Sequence, residues 1–436
     1  MKDFGRSDHP AVQTQLDRLA QLSLPDGRFG LDAIRALLAR LGNPHRHLPP
    51  VFHVAGTNGK GSTCAFLRAM LEADGKTVHV TTSPHLVRYN ERIRIAGKLI
   101  EDEALAPLLE EVLDAGEDLA PSFFEVTIAA AFLAFSRTPA DACVVEVGLG
   151  GRFDATNALE PEAVAVCGIA ALGIDHERFL LAPEEGVPTD PMARIAFEKA
   201  GIAKSGVPLV TLGETYPPQA RAAIAEVALN AGAPLVEYPT AWAAKMVGED
   251  NHLAYGEGSD CYFHTLPPSL PGRYQALNAG LAIAMLRRQT ALPVGEEALK
   301  TGVTDAKWPA RLQHLSAGPL IGSREVWLDG GHNRSAGEAI ARHFAGQRLH
   351  LIIGMIEGKD PASLTQPLAD SLSSITAVPI STHVSQAASA YSPDAAQASS
   401  VQDALAALPD DGLPILIAGS LYLAGDVLRL NGEMPD

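Results

Sequence analysis

Short apolar runs alternate with longer amphipathic stretches along most of the chain. The apolar run 51–54 predicts a strand, and a glycine-rich loop separates it from a helix predicted over 63–73. The β-branched runs 142–147 and 164–169 are typical of strands covered on both faces. Apolar residues at helical spacing predict an amphipathic helix over 103–114. Strands separated by helices predict a parallel, doubly wound sheet, whose ligands lie at the carboxyl ends of the strands.

A second series of strands and helices follows in the last third of the chain. Strands are predicted at 325–328, 349–353 and 413–417, and helices at 336–344 and 421–430. The stretch 290–308 mixes proline, glycine and charged residues and is interpreted as a connection between domains. We therefore predict an α/β protein with a larger domain over 1–295 and a smaller α/β domain over 296–436.

Composition and charge exclude some classes of protein. The 436 residues are 47% hydrophobic and 19% charged, which is a globular composition. Because 51 acidic residues outnumber 34 basic ones, the net charge is −17, which argues against a protein that coats nucleic acid or an anionic membrane. A small anionic ligand needs only a local positive site and stays compatible with this charge.

The cysteines and the N-terminus point to a reducing compartment. No CxxC pair is present, and buried free thiols are favoured over disulfides or a zinc site for Cys64, Cys143, Cys167 and Cys261. Residues 1–5 lack the apolar core of a signal peptide. The apolar stretch 126–135 is too short for a bilayer span, which takes about 20 residues. We therefore expect a cytoplasmic, soluble protein without a membrane partner.

A glycine-rich loop is the strongest sign of chemistry in the chain. The sequence GTNGKGST at 56–63 follows a predicted strand and precedes a predicted helix, which is the context of a phosphate-binding P-loop. It departs from GxxxxGK[ST], because Gly61 separates Lys60 from Ser62. The alternative is a glycine-rich turn with a solvated lysine, and the context favours a nucleoside triphosphate. The candidate ligands of this nucleotide are Asn58, Gly59, Lys60, Gly61, Ser62 and Thr63.

Two further candidates can be interpreted in more than one way. Glu146, near the end of a predicted strand, is placed to bind a hard metal ion, and the alternative is an ion pair with Arg152. Arg88 and Arg92 belong to a basic stretch at 84–98, which predicts either a loop that binds an anionic substrate or a charged surface.

Taken together, the motifs of the chain resemble a known family of enzymes. The loop is similar to the ATP loop of the Mur ligase superfamily, in the variant with an added glycine that is typical of folylpolyglutamate synthase/dihydrofolate synthase. The resemblance continues in the family's order through TSPHL at 82–86, NERI at 90–93, EVGLGGRFDATN at 146–157, GIDH at 173–176, EKAGI at 198–202, LDGGHN at 328–333 and GSLY at 419–422. It implies a P-loop ATPase-like, doubly wound N-terminal domain that binds ATP, and a smaller, Rossmann-like C-terminal glutamate-ligase domain.

The resemblance implies an ATP-dependent amide ligase. Such an enzyme phosphorylates a carboxylate with ATP, and an amine then attacks the acyl phosphate to form an amide. ATP, Mg²⁺ at two sites, L-glutamate, and dihydropteroate or a reduced folate are the implied ligands, and no nucleic-acid partner and a monomeric chain are expected. Two other classes stay open: a Mur-type ligase acting on a peptidoglycan precursor, and a P-loop protein that hydrolyses nucleotide without ligation.

The resemblance also implies the residues of a metal site. Ser62 would bind the first Mg²⁺, and Ser83, Glu146 and His176 would bind the second. Lys199 would be carbamylated by CO₂, which needs a neutral amine, and burial and nearby cations favour that form. Without the family, a histidine in a loop is more often merely solvated, and a lysine near a helix end complements the helix dipole.

Nucleotide and glutamate contacts are implied for the second half of the chain. Gln275 and Asn278 match the family's adenine-side positions. An amide side chain suits this role because it can both donate and accept hydrogen bonds, as the edge of adenine requires. Arg311 would lie near the phosphates and Asp329 at the ribose, and an ordinary surface ion pair is the alternative for both. The residues expected to act in catalysis are Lys60, Lys199, His332 and Arg311, and His332 and Ser420 would orient the incoming glutamate.

Substrate contacts are implied for the first half. The basic stretch with Arg88 and Arg92 would close over the pterin-bearing substrate, and Arg152 is a further cation for it. Phe123 and Phe124 would offer a flat apolar wall to a pteridine ring, although they fit a buried helix start almost equally well.

Three segments depart from the family's pattern. Arg334 stands where the family usually has proline, and MIEGKD at 355–360 replaces a commoner ending. The segment 180–190 is longer than usual and contains two adjacent glutamates. Because it lies between His176 and Lys199, it leaves the spacing of these two residues open.

Overall fold

The computed structural model describes residues 5–22, 30–258 and 261–436, without the side chain of Cys261. The chain divides into two compact units. The first comprises 1–269 and 275–307, and the second comprises 270–274 and 308–436. The expectation of a missing signal peptide rests mostly on residues 1–4, which lie outside the described residues.

A mixed sheet organises the first unit, in the order β4-β3-β2-β5-β1-β6-β7-β8. Its strands are β1 Val51–Ala55, β2 Val78–Thr81, β3 Ile93–Ile95, β4 Lys98–Leu99, β5 Ala142–Glu146, β6 Val164–Ile169, β7 Leu209–Thr211 and β8 Leu235–Glu237. From β2 to β8 neighbouring strands are parallel, and β3 and β4 add an antiparallel edge. The predicted α/β class and its parallel sheet are confirmed.

The helices of this unit connect and cover the strands. They are α1 Pro10–Gln21, α2 Asp32–Arg40, α3 Lys60–Ala73, α4 Asp102–Gly116, α5 Phe123–Arg137, α6 Glu177–Leu180, α7 Pro191–Ala200, α8 Pro218–Ala231, α9 Gln275–Arg288 and α10 Glu296–Asp305. The start of α5 shows why a helix forms there. The Ser122 hydroxyl accepts the Glu125 N–H at 3.3 Å, and the Glu125 carboxylate accepts the Ser122 N–H at 2.7 Å, so two unpaired donors are satisfied.

A small antiparallel sheet, which the hydrophobic pattern did not predict, supports α9. It consists of β9 Ala243–Val247, β10 His252–Glu257 and β11 Cys261–Thr265. Gly280 of α9 lies directly against Ala244 and Trp242, and Gly168 of β6 lies against Met285 of the same helix. Helix α9 is therefore fixed by close contacts with both sheets of the first unit.

The second unit has a sheet of its own, in the order β12-β13-β17-β14-β15-β16. Its elements are β12 Gln313–His314, β13 Val326–Asp329, α11 Arg334–His343, β14 Leu349–Ile353, α12 Ala362–Leu368, β15 Leu372–Ala377, β16 Ala396–Gln397, α13 Val401–Ala407, β17 Ile415–Ala418 and α14 Leu421–Asn431. From β13 to β16 the strands are parallel, and β12 is antiparallel to β13. Leu351, Phe344 and Leu416 belong to its buried core.

Short 3-10 turns complete the two units. They lie at Pro44–Arg46, Tyr89–Arg92, Ala155–Ala158, Pro161–Ala163, Gly213–Thr215, Ala369–Ser371 and Ala388–Ala390. The stretch interpreted as a connection, 290–308, holds helix α10, which belongs to the first unit. Cys64, Cys143 and Cys167 are buried free thiols, as expected. No helix within the described parts of the chain is long and apolar enough to span a membrane.

The contact of α9 with the small sheet gives a first prediction. In Gly280→Ala the new Cβ would lie against Ala244 and 2.8 Å from Cζ3 of Trp242. Because overpacking a core costs about 1 to 3 kcal/mol, more than the roughly 1 kcal/mol gained in helix propensity, we expect a lower urea midpoint by circular dichroism. Leu229→Ala, at a side chain that is 80% exposed, is the control. An unchanged midpoint in Gly280→Ala would show that this contact relaxes freely.

Candidate active site

The phosphate loop lies between β1 and α3, and the helix begins at Lys60 rather than at the predicted residue 63. Lys60, Gly61 and Ser62 therefore supply first-turn N–H groups, which have no acceptor within the helix and suit an anion. Gly59 has a φ of 82°, and the Asn278 side chain fills the space that a Cβ would need. Only glycine fits at this position.

Hydrogen bonds tie the phosphate loop to the segment after β6. The N–H groups of Thr57 and Asn58 donate to the Ala171 carbonyl at 2.8 and 3.1 Å, and the Thr57 hydroxyl donates to the Gly173 carbonyl at 2.8 Å. The Lys60 ammonium donates to the Thr57 carbonyl at 3.4 Å. Since β1 and β6 are neighbouring parallel strands, the GTNGKGST and GIDH motifs meet at one end of the sheet.

Gln275 and Asn278 lie against the phosphate loop, at the start of α9. The Gln275 amide donates to the Ser62 hydroxyl at 3.4 Å, and the Asn278 amide donates to the Gln275 carbonyl oxygen at 2.8 Å. Both amides are buried. The sequence associated them with adenine, and their contacts in this structure are with the residues that would surround phosphate.

Glu146 lies at the carboxyl end of β5, beside the residues that follow β2. Its carboxylate is buried and accepts the Ser83 N–H at 3.2 Å. In the sheet register Val54 of β1 lies opposite Glu146, which places the carboxylate near the start of the phosphate loop. The structure brings Ser83 and Glu146 together as expected.

These oxygen atoms suit a divalent cation. Hydroxyl groups of Ser62 and Ser83 and the Glu146 carboxylate are hard ligands of the kind Mg²⁺ prefers. His176 is the last residue of the GIDH turn, is half-buried, and has a φ of 53° at the start of α6. Within 5–22, 30–258 and 261–436, no group of three or more histidine, cysteine, aspartate or glutamate side chains forms a metal cluster. The residues present fit a cation that keeps water and phosphate ligands.

Lys199 is a buried lysine whose pKa is strongly lowered. It lies near the end of α7 and is only 4% exposed. Burial, followed by the charge of Lys60, lowers the pKa of Lys199 from 10.5 to about 7, while Asp175, Asp154 and Glu198 oppose the shift. A large share of its amine is therefore neutral at physiological pH, which is the form that reacts with CO₂.

The ion pair between Arg152 and Glu146, which was the alternative for Glu146, is not formed in the described part of the chain. The Arg152 guanidinium bonds instead to Glu184 and Glu198, with shortest N···O distances of 2.6 and 2.8 Å. Glu184 belongs to the segment 180–190, so the long segment packs directly on the motif EVGLGGRFDATN.

The basic stretch 84–98 is partly buried. Arg92 is 1% exposed, and its Nε donates to Nδ1 of His85 at 2.8 Å. Its guanidinium lies over the rings of Tyr89 and Phe123 at 5.6 and 5.4 Å. Arg92, which the resemblance implied as a substrate contact, thus lies in an aromatic cluster, a contact that no local pattern reveals.

Glu91 also shapes the stretch 84–98, in a role that the sequence does not reveal. Its carboxylate accepts the backbone N–H groups of Leu86, Val87 and Arg88 at 2.7, 2.9 and 2.6 Å. Burial raises the pKa of Glu91, and these N–H groups oppose the shift. The side chains of Arg88 and Lys98 remain exposed.

Phe123 and Phe124 occupy the first turn of α5, and both are half-buried. The Phe124 ring lies directly against Gly148, where a Cβ would come within 2.7 Å of Cε1. The two rings thus pack against the segment 84–98, which is expected to close over the pterin, and against the segment 146–157, which contains Arg152.

In the second unit, Asp329 organises the loop that carries Arg311. Its carboxylate is buried at the end of β13 and accepts the N–H groups of Leu312 and Gly331 at 2.8 and 2.6 Å. Burial raises the pKa of Asp329, and the nearby Arg311 opposes the shift. Arg311 and Asp329 therefore lie near each other in the second unit.

His332 and Ser420 lie in turns that follow β13 and β17. Nδ1 of His332 is 3.4 Å from the Gly330 carbonyl. The Ser420 hydroxyl accepts the Tyr422 N–H at 3.1 Å and caps α14. Both turns lie at carboxyl ends of parallel strands, where α/β proteins bind ligands.

The fold and the phosphate loop define a class, that of P-loop proteins that use a nucleotide. A scan against models of protein families finds no match. The dihydrofolate synthase/folylpolyglutamate synthase of Bacillus subtilis is 36% identical over 350 residues, which cover 76% of each chain. The chain belongs to the folylpolyglutamate synthase/dihydrofolate synthase family, so the resemblance expected from the motifs, and with it the ligase class, is confirmed.

Solved structures of relatives agree with this assignment. Escherichia coli FolC in complex with DHPP and ADP is 29% identical, with a TM-score of 0.83 over 97% of this chain and 98% of that one. A bifunctional folylpolyglutamate synthase/dihydrofolate synthase with Mn, AMPPNP and L-glutamate bound is 28% identical, with a TM-score of 0.82 over 98% and 99%. The predicted arrangement of an ATP-binding α/β fold with a second α/β unit is confirmed.

Proposed function

We propose that this protein is an ATP-dependent ligase that adds L-glutamate to dihydropteroate, to reduced folates, or to both. The observation that carries the proposal is the phosphate loop, which is hydrogen-bonded to the GIDH turn and lies at the same end of the sheet as Glu146 and Ser83. Family membership supports the substrate class over a Mur-type peptidoglycan ligase. We also propose that the protein acts in the cytoplasm as a monomer.

The proposed ligation proceeds in two steps, formation of an acyl phosphate and then of the amide. A carboxylate oxygen of the pteroate or folate attacks the γ-phosphorus of ATP, and ADP leaves as an acyl phosphate forms. The amine of glutamate then attacks the acyl carbon and loses a proton, and inorganic phosphate leaves as the amide forms. Such steps depend mainly on positioning and charge neutralisation.

Residues of the first unit would hold the triphosphate and its cations. Lys60 and the N–H groups of Gly61 and Ser62 would bind phosphate oxygens, and Gln275 and Asn278 would bind the nucleotide from α9. Ser62 would hold one Mg²⁺, and Ser83, Glu146 and His176 a second. Bound there, Mg²⁺ neutralises charge on the transferred phosphoryl group.

The other substrates would contact three sets of side chains. Arg88 and the aromatic cluster of Arg92, Phe123 and Phe124 would hold the pterin-bearing acid. From the second unit, we propose Arg311 and Asp329 as nucleotide ligands, and His332 and Ser420 as residues that orient glutamate.

Removal of the phosphate-loop lysine tests the nucleotide site. We expect Lys60→Ala to lower ligation a hundredfold or more, because removing one donor that stabilises the charge of a transition state costs about 10² to 10³ in rate. Its circular dichroism and urea midpoint should stay near those of the wild type. Lys76→Ala, whose lysine pairs with Asp74 at the surface, is the matched control. Near-normal turnover by Lys60→Ala would disprove the assignment of the loop.

The acceptor specificity separates the proposed ligase from a nucleotide hydrolase. Phosphate release is measured with ATP and glutamate, in the presence of dihydropteroate, tetrahydrofolate or neither, and the amide product is identified by mass spectrometry. We expect release only with an acceptor and with glutamate, in equal amounts with product. Release that is indifferent to both substrates would support a hydrolase instead.

Carbamylation of Lys199 has a readout that does not depend on activity. With ¹³C-bicarbonate, we expect a carbamate carbon signal in the wild type that Lys199→Met lacks. Because the pKa of this amine is lowered to about 7, the signal should grow as the pH rises through 7 and the ammonium loses its proton. Lys98→Met, at an exposed lysine, should keep the signal. Equal spectra for wild type and Lys199→Met would rule the carbamate out.

A further inference from the structure

A partly buried cluster of four charged side chains lies next to Lys199. Arg152 donates to Glu184 at 3.0 and 2.6 Å and to Glu198 at 3.1 and 2.8 Å. Arg194 reaches the same two carboxylates at 2.8 and 3.0 Å. The charges of the two arginines and the two glutamates cancel, and their mutual attraction offsets part of the free energy lost when each is removed from water.

The segment around Arg152 is hydrogen-bonded to the end of helix α7. The Arg152 N–H donates to the Glu198 carbonyl at 2.7 Å, and the Asn157 amide donates to the carbonyls of Arg152 and Gly201 at 2.9 and 3.0 Å. A Cβ on Gly151 would come within 2.9 Å of the Lys199 carbonyl. The GGRFDATN segment therefore fixes the main chain on both sides of Lys199.

The guanidinium of Arg152 is committed to these protein contacts. Nε, Nη1 and Nη2 all donate to Glu184 or Glu198, and Cζ lies 4.2 Å from the ring centroid of Phe153. Its side chain is 21% exposed. A group held in this way is poorly placed to bind an incoming carboxylate, because it would first have to break bonds to two glutamates.

We propose that Arg152 and Glu184 are positioning residues, which hold the end of α7 so that Lys199 keeps its place beside the phosphate loop. The long segment 180–190 then has a structural role, because it contributes Glu184 to the cluster. The proposal rests on the proposed function for its kinetic consequence, and it replaces a direct contact between Arg152 and substrate.

Steady-state kinetics of Glu184→Gln and Arg152→Met distinguish the two roles. If Arg152 acts through Lys199, both variants lose kcat by about tenfold or more, since a misplacement of about 1 Å can cost roughly 10²-fold in rate, while KM for each substrate stays within about twofold. The double variant should be no slower than Arg152→Met, because the pair acts as one unit. Glu185→Gln, at the adjacent exposed glutamate, is the matched control and should behave as wild type.

The opposite pattern would overturn the proposal. If Arg152 binds substrate, Arg152→Met raises KM for the acceptor or for glutamate, and Glu184→Gln leaves kcat unchanged.

Hydrogen exchange provides a readout that is independent of ligase activity. The N–H groups of Gly201 and Ile202 donate to the carbonyls of Phe197 and Lys199 at 3.2 and 3.4 Å. We expect amides 198–202 to exchange faster in Glu184→Gln than in Glu185→Gln, with unchanged exchange in β1. Equal exchange in the two variants would contradict the positioning role. Absence of glutamate ligation by the wild type would instead contradict the proposed function, and the exchange result would still stand.

Discussion

The register of four parallel strands is the constraint on which the candidate site depends. Strand β1 lies between β5 and β6, and β2 lies on the other side of β5. Because Val54 pairs with both Glu146 and Gly168, the phosphate loop, the Glu146 carboxylate and the turn before His176 all emerge at the same level. A slip of one residue in β5 would turn Glu146 to the other face of the sheet. The candidate site therefore depends on the register of the strands as much as on the identity of its residues.

Buried charge is the second requirement of this arrangement. Lys199 is held in a nearly solvent-free position beside a neutral cluster of two arginines and two glutamates. Breaking such a cluster by removing one partner leaves an uncompensated charge, which costs far more than the intact cluster contributes. Burial also lowers the pKa of Lys199, so that the same packing that fixes the residue prepares its neutral amine.

The hydrophobic pattern of the sequence predicted those elements that depend mainly on residues close together in the chain. The strand Val164–Ile169 and the strand–loop–helix context of Lys60 follow from runs of apolar residues and from glycine. Contacts between distant residues could not be predicted in this way. Gln275 reaches Ser62 across 213 positions of sequence. The burial of Arg92 among aromatic rings likewise depends on tertiary packing, which can turn a surface-like arginine into part of the core.

The placement of the cations changes how the acidic net charge should be interpreted. The chain carries a charge of −17, and all substrates of the proposed reaction are anionic. Arg92 and Arg152 direct their guanidinium groups to protein partners, whereas Lys60 and Arg88 remain partly or fully exposed. Exposed charges act only within about 10 Å at moderate ionic strength. Anions would therefore be captured at short range, by the helix start and its lysine, and the overall field of the protein would contribute little to attracting them.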